Sequence, residues 1–142
     1  MKYRMYSFVL KQLNPIQKGV QTAHAVVEYA TAYHKTNEYQ RWSKLDKTLI
    51  MLDGGTYPEM MELLESLKSN GIKYEYFEEE DLNHLVTAIT VIADERVWDK
   101  EKYPDYDVMK DSWMEYDGWI EFIGGDSNVE LRDIIFSKRL AN

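Results

Sequence analysis

The chain has 142 residues, 17 Lys/Arg against 25 Asp/Glu, a net charge of −8 and no cysteine. That length fits one domain large enough to bury a core, and the missing cysteine excludes disulfides, thiolate metal sites and cysteine nucleophiles. The acidity is uneven: residues 1–93 hold 10 basic against 12 acidic side chains (−2), and residues 94–142 hold 7 against 13 (−6). The overall balance argues against strong nonspecific nucleic-acid binding, while leaving room for a local basic patch in the nearly neutral first part.

The opening MKYRMYSFVLKQLN has only a short, interrupted apolar run and does not read as a signal peptide. No stretch approaches the roughly 20 apolar residues that a membrane span needs, so the expectation is a cytoplasmic protein without membrane contact. Residues 3–11 read as a buried strand. Asn14-Pro15 starts a helix, with Asn as cap and Pro where its missing N–H costs nothing. That helix is expected over 15–32, with Val20, Ala23, Val27 and Ala30 as its apolar stripe. A short helix is expected at 38–45, presenting Tyr39 and Trp42. Residues 47–53 form a nearly unbroken apolar run, as in a strand covered on both faces. Gly54-Gly55 then serves as a turn.

Thr56 and Glu59 make a capping box for a helix over 57–70, closed by Gly71. Residues 72–78 alternate like a strand, 79–83 are a polar turn, and 86–93 are a last strand rich in β-branched residues. This order predicts an α/β domain whose first crossovers are right-handed and parallel and which closes with an antiparallel pair. From Asp94 the chain becomes acidic and aromatic. Trp98, Trp113 and Trp119 are too costly to leave in water, so residues 94–142 are expected to pack on the domain formed by 1–93. A final helix is expected after a cap at Ser127 or Asn128, with Val129, Ile134, Ile135 and Leu140 apolar.

Candidate chemistry is sparse. Histidines at 24, 34 and 84, with no HExxH or paired-Cys spacing, do not make a zinc site. GGTYPE is neither GxGxxG nor a P-loop, and turn chemistry accounts for it. Glu78 to Asp81 reads as a solvated acidic turn, with Asp81 at a strand mouth. Gln17, Gln21, His24 and Glu28 fall at i, i+4, i+7 and i+11, on one helical stripe. His24 then borders the apolar stripe, where an imidazole can be partly desolvated and still hydrogen-bonded. Helix geometry alone equally allows a structural histidine bonded to a backbone carbonyl.

The first strand, the helix with Gln21-x-x-His24-Ala25, a strand ending in Asp53, a second helix, and the DLNHLVTAITVI stretch (81–92) resemble the peptidyl-tRNA hydrolase 2 family over roughly residues 3–93. The divergence and acidic tail are most similar to short phage-encoded relatives. The resemblance implies an α/β fold, a mixed four-stranded sheet flanked by helices in a three-layer sandwich. It also implies hydrolysis of the ester joining a peptide to the terminal ribose of tRNA, without metal or cofactor. It makes Lys18, Asp81 and Thr87 the catalytic residues and Gln21 and His24 the substrate-binding ones. Asp81 and Lys18 would orient and polarise water, while Gln21, His24 and Thr87 position the ester and terminal adenosine. All five are expected to gather around one cleft.

The family has a Gly-Lys pair with lysine seven residues before the histidine. Here that position is Gln17, and Lys18 is displaced by one. Leu82, Asn83 and His84 stand in place of the family's Gly-Arg-Thr-Gln. Two other readings fit these departures: an inactive relative that binds RNA or a protein partner, using its aromatic tail as interface, and a structural homodimer module.

Overall fold

A computed structural model describes residues 1–142. Strand β1 (Tyr3–Leu10) leads into helix α1 (Pro15–Tyr33), where Asn14 and Gln17 close a reciprocal capping box. Helix α2 (Asn37–Arg41) continues as a wider turn over Trp42–Asp46 before strand β2 (Leu49–Gly55). Helix α3 (Tyr57–Ser69) carries the expected Thr56–Glu59 capping box, and Gly71 follows it at φ +66°. Strand β3 (Glu75–Glu79) starts later than the alternation predicts, leaving Ile72 and Tyr74 in the approach. A tight turn (Glu80–Leu82) then delivers strand β4 (Leu85–Asp94).

The sheet order is β2-β1-β4-β3, with β1 parallel to β2 and β4 antiparallel to both β1 and β3. This is the mixed four-stranded sheet that the sequence implies. Its two faces differ in chemistry. On one, Tyr6, Phe8, Leu10, Ile89 and Val91 pack with Met60, Leu63 and Leu67 of α3. A fully buried side chain such as Phe8 or Leu67 contributes roughly 1.5–3 kcal/mol. On the other face, Met5 packs with Tyr29 and Trp42, and Val9 with Ala25 and Ala88. Between those apolar groups the second face is hydroxylic: Ser7 bonds Thr22 at 2.9 Å, and Thr90 donates to the Ala25 carbonyl at 3.2 Å.

That hydroxylic face decides how α1 lies, and it overturns the apolar-stripe expectation. The buried residues of α1 are Lys18, Gln21, Thr22, Ala25 and Tyr29, while Val20 and Val27 are 48% and 62% exposed and Ala23 is exposed too. Lys18, Gln21, Thr22, Ala25 and Tyr29 sit at i, i+3, i+4, i+7 and i+11, so they form a genuine helical stripe. Its first half is polar because the strands beneath it offer hydroxyls and carbonyls. Strand β2 also departs from expectation: it is an edge strand, only partly covered, and includes Gly54 and Gly55. The register slips there, from Val9↔Asp53 to Leu10↔Gly55, so Gly54 is the extra residue. A Cβ at Gly54 would overlap the Met60 sulfur and press on the Val9 carbonyl, which reserves the position for glycine.

Beyond β4 come α4 (Glu95–Trp98), α5 (Tyr106–Met109), α6 (Tyr116–Phe122) and α7 (Asp126–Phe136). Helix α7 places Leu131 and Ile135 in the main core. It begins at Asp126 after Gly125 (φ +107°), not behind a Ser127 or Asn128 cap; Asn128 instead donates to the Ile123 carbonyl. Leu140 lies outside this helix and pairs across from Leu52. Buried Arg132 donates to the carbonyls of Arg96 and Tyr103 and to Asp105. Trp119 is buried, but Trp113 is 98% exposed, so the aromatic tail is not packed throughout.

Glu95 ties this region to the amino end. Its carboxylate accepts from Lys102 Nζ at 2.7 Å and from the Lys2 backbone N–H at 2.9 Å. The Lys102 hydrogen bond, followed by that of Lys2, holds its carboxyl below the ordinary value of 4.5. A carboxyl depressed in the folded state contributes stability above its unfolded pKa and loses it as pH falls through the folded value. Glu95→Gln is therefore expected to melt below wild type at pH 7, with the gap closing towards pH 3. A gap in melting temperature that stays constant across that range would contradict this role.

Candidate active site

The antiparallel pairing of β4 with β1 and β3 brings the start of β4, the ends of β1 and β3, and the first turns of α1 to one end of the sheet. A register slip at that end does the aiming. Phe77 pairs with Ala88 and Glu78 with Val86, so Thr87 is an extra, bulged residue. In regular alternation Thr87 would share a face with Ile89 and Val91 and point into the apolar core. The bulge turns it towards α1 instead, and bulges are a common means of re-aiming a side chain beside a site.

Thr87 is fully buried, and its hydroxyl donates to Gln21 Oε1 at 2.6 Å. Gln21 Nε2 in turn donates to Glu79 Oε2 at 2.9 Å. The amide is thus held from both sides, with its oxygen facing the hydroxyl donor and its nitrogen facing the carboxylate acceptor. Glu79 Oε1 receives the Asp81 backbone N–H at 3.4 Å, which ties the turn to the same chain of contacts. Glu79 is the member that sequence reasoning missed. It was submerged in the acidic run 78–81, and only the strand register shows which acid of that run faces α1.

Lys18 lies one turn before Gln21 on the same buried stripe, 7% exposed. Its Nζ donates to the main-chain oxygen of Asn142 at 3.4 Å, and it forms no ion pair with a side chain. The one-residue displacement noted in the sequence now has a physical meaning. Gln17 is exposed and spent on the capping box, whereas position 18, rotated by about 100°, faces the sheet. The lysine is therefore on the Gln21 side of the helix.

His24 departs from expectation. It is exposed and makes no ring hydrogen bond; its imidazole stacks on Phe77, with centroids 4.4 Å apart and planes at 16°. The histidine that approaches a backbone carbonyl is His34, whose Nδ1 is 3.1 Å from Ala30 O. Asp81 is exposed, and its carboxylate has no hydrogen-bond or ion-pair partner. Gln21, Thr87 and Lys18 are thus gathered beneath α1, while His24 and Asp81 lie outside that buried group, each connected to β3 or its turn.

The arrangement offers an ammonium without a side-chain partner, an oriented amide and hydroxyl, a free carboxylate on a turn, and a flat aromatic pair at the surface. These groups can polarise a carbonyl, hold a water and stack a ring. Comparison with known proteins gives this end of the sheet a lineage. No curated protein matches the chain. The profile of the family described as peptidyl-tRNA hydrolase PTH2 matches residues 3–95, about two thirds of the chain, including all four strands and every residue of the polar group except Asn142. On that match, the chain belongs to the peptidyl-tRNA hydrolase 2 family.

Proposed function

We propose that this protein hydrolyses the ester between a peptide and the terminal ribose of tRNA, without a metal ion. The observation that carries the reading is the Thr87–Gln21–Glu79 chain beneath α1, built by a strand bulge on residues that fall within the family match. Structure alone would not spend a bulge and three polar side chains on a site that an apolar contact could fill.

In this mechanism a water oxygen bonds to the ester carbonyl carbon. The Lys18 ammonium stabilises the charge that develops on the carbonyl oxygen, where a fixed cation away from bulk water is most effective. Asp81 accepts the proton from the attacking water and returns it to the ribose oxygen as the carbon–oxygen bond breaks. Gln21 and Thr87 fix the ester's position, and the face of His24 stacked on Phe77 receives the terminal adenine. Binding the substrate would draw the exposed turn carrying Asp81 towards Lys18, since catalytic contacts often tighten only in the complex.

The test is release of labelled peptide from peptidyl-tRNA, with a metal chelator present, by wild type and by Asp81→Asn. Wild type is expected to turn over, and the variant to lose ~10²-fold or more. An exposed turn carboxylate usually contributes within about ±0.5 kcal/mol to stability, so circular dichroism should show the variant folded. No turnover by wild type would replace this reading with that of a non-catalytic RNA-binding relative.

A further inference from the structure

The two flanks of the candidate site carry opposite charge, and the basic flank comes largely from outside the family match. After α7, residues 139–141 run antiparallel along the open edge of β2. The Asp53 N–H donates to the Arg139 carbonyl at 2.8 Å, Leu140 bridges Leu52, and the Ala141 N–H donates to the Met51 carbonyl at 3.0 Å. Ala141 packs on the Val9–Ala25–Ala88 cluster, and Asn142 reaches Lys18. This strap fixes Lys138 and Arg139 beside Lys11, the residue that follows β1, around a polar recess of about 190 Å³.

Two acids also line that recess, so three cations stand against two carboxylates and leave it net positive by one. Asp53 accepts from the Gly55 N–H at 2.9 Å, and Glu59 is the reciprocal partner of Thr56 in the α3 capping box. Lys11, Lys138 and Arg139 form no ion pair. Residues 139 to 142 are three steps apart, so an extended strap keeps Arg139 within about 10 Å of the Lys18 end. Across the sheet, beyond β4, the flank at the end of β3 is the acidic run Glu78, Glu79, Glu80 and Asp81.

We propose that Lys11, Lys138 and Arg139 form the surface that holds the tRNA phosphate backbone, so that the acceptor strand crosses the β2 edge and the strap. This rests on the hydrolase reading and gives the substrate a direction. The phosphates lie on the β2 side, and only the uncharged terminal base reaches across the sheet to His24 and Phe77, next to the acidic run at the end of β3 that repels the polyanion. It also gives the strap a role: residues beyond the family match restore a cationic rim to a chain of net charge −8. Phosphate contacts of this kind set register on the nucleic acid and make binding depend steeply on salt.

The experiment is binding of deacylated tRNA across a salt series, together with kcat and KM on peptidyl-tRNA, for wild type and the triple variant Lys11→Gln/Lys138→Gln/Arg139→Gln. Lys68→Gln, which removes one cation at the far end of α3, is the control for position, and thermal melting checks the fold. The triple variant is expected to raise KM about tenfold or more with kcat nearly kept, and to flatten the salt slope by about 2. The control should change neither. A triple variant that binds tRNA with wild-type affinity and slope overturns the proposal, even if wild type hydrolyses peptidyl-tRNA normally. If wild type shows no hydrolysis, the catalytic reading fails separately, and the tRNA salt series still decides whether this rim holds RNA.

Discussion

Lys18→Met is expected to reduce peptide release by ~10²-fold or more while leaving the protein as stable as wild type or slightly more so. The two halves of this result have one cause. Lys18 is 7% exposed, has no side-chain carboxylate partner, and reaches only the main-chain oxygen of Asn142 at 3.4 Å. Burying an ammonium-bearing chain without a side-chain ion pair loses hydration that one long contact repays only in part, so a methionine of similar length should fit at little cost. In the proposed mechanism that charge is used to stabilise the carbonyl oxygen in the transition state. Paired measurements of melting temperature and single-turnover rate check the prediction. A destabilised variant with normal turnover would make Lys18 a structural residue.

Thr87→Val, the second large effect, should act through Gln21. The substitution keeps the shape of a fully buried side chain but removes the hydroxyl that donates to Gln21 Oε1 at 2.6 Å. An amide oxygen left without its donor costs about 1–3 kcal/mol of stability. The amide is then free to turn away from the ester, and the rate should fall by ~10²-fold, since small misplacements at a reacting group carry costs of that order. Thr87→Ser retains the donor and is expected to restore most of the rate. Equal rates for Val and Ser would show that the hydroxyl has no part in positioning and that Thr87 is only a strand residue.

Much of the architecture is legible from residue pattern. Caps at Asn14 and Thr56 mark the helix starts correctly, and Gly71 marks an end, because capping chemistry is local. The face of α1 is another matter. Val20 and Val27 announce a core stripe by hydrophobicity, yet they are exposed and Lys18, Gln21 and Thr22 are inward. What turns the helix is a partner surface 60 or more residues away, the hydroxyls of Thr87 and Thr90, which no window on α1 contains. The bulge at Thr87 is equally invisible, because it depends on how β3 registers on β4. Of the candidate residues, Gln21 and Thr87 follow from the family resemblance as members of one site, while their hydrogen bond, Glu79 and the strap over Lys18 emerge only from the fold. His24 shows the reverse: it draws attention in sequence by the apolar stripe it borders, but Val20, Ala23 and Val27 of that stripe face outwards, and its contact is with Phe77.

The central claim is that Lys18 on α1 and the bulged Thr87 on β4 belong to one catalytic site. Its most direct test is a double-mutant cycle in the single-turnover rate of peptide release, comparing wild type, Lys18→Met, Thr87→Val and the double variant. Residues acting as a unit are strongly non-additive: once one is lost, losing the other costs little more. The account predicts a double variant about as slow as the slower single variant. Losses that multiply as independent factors, or a wild-type protein that releases no peptide at all, would contradict it.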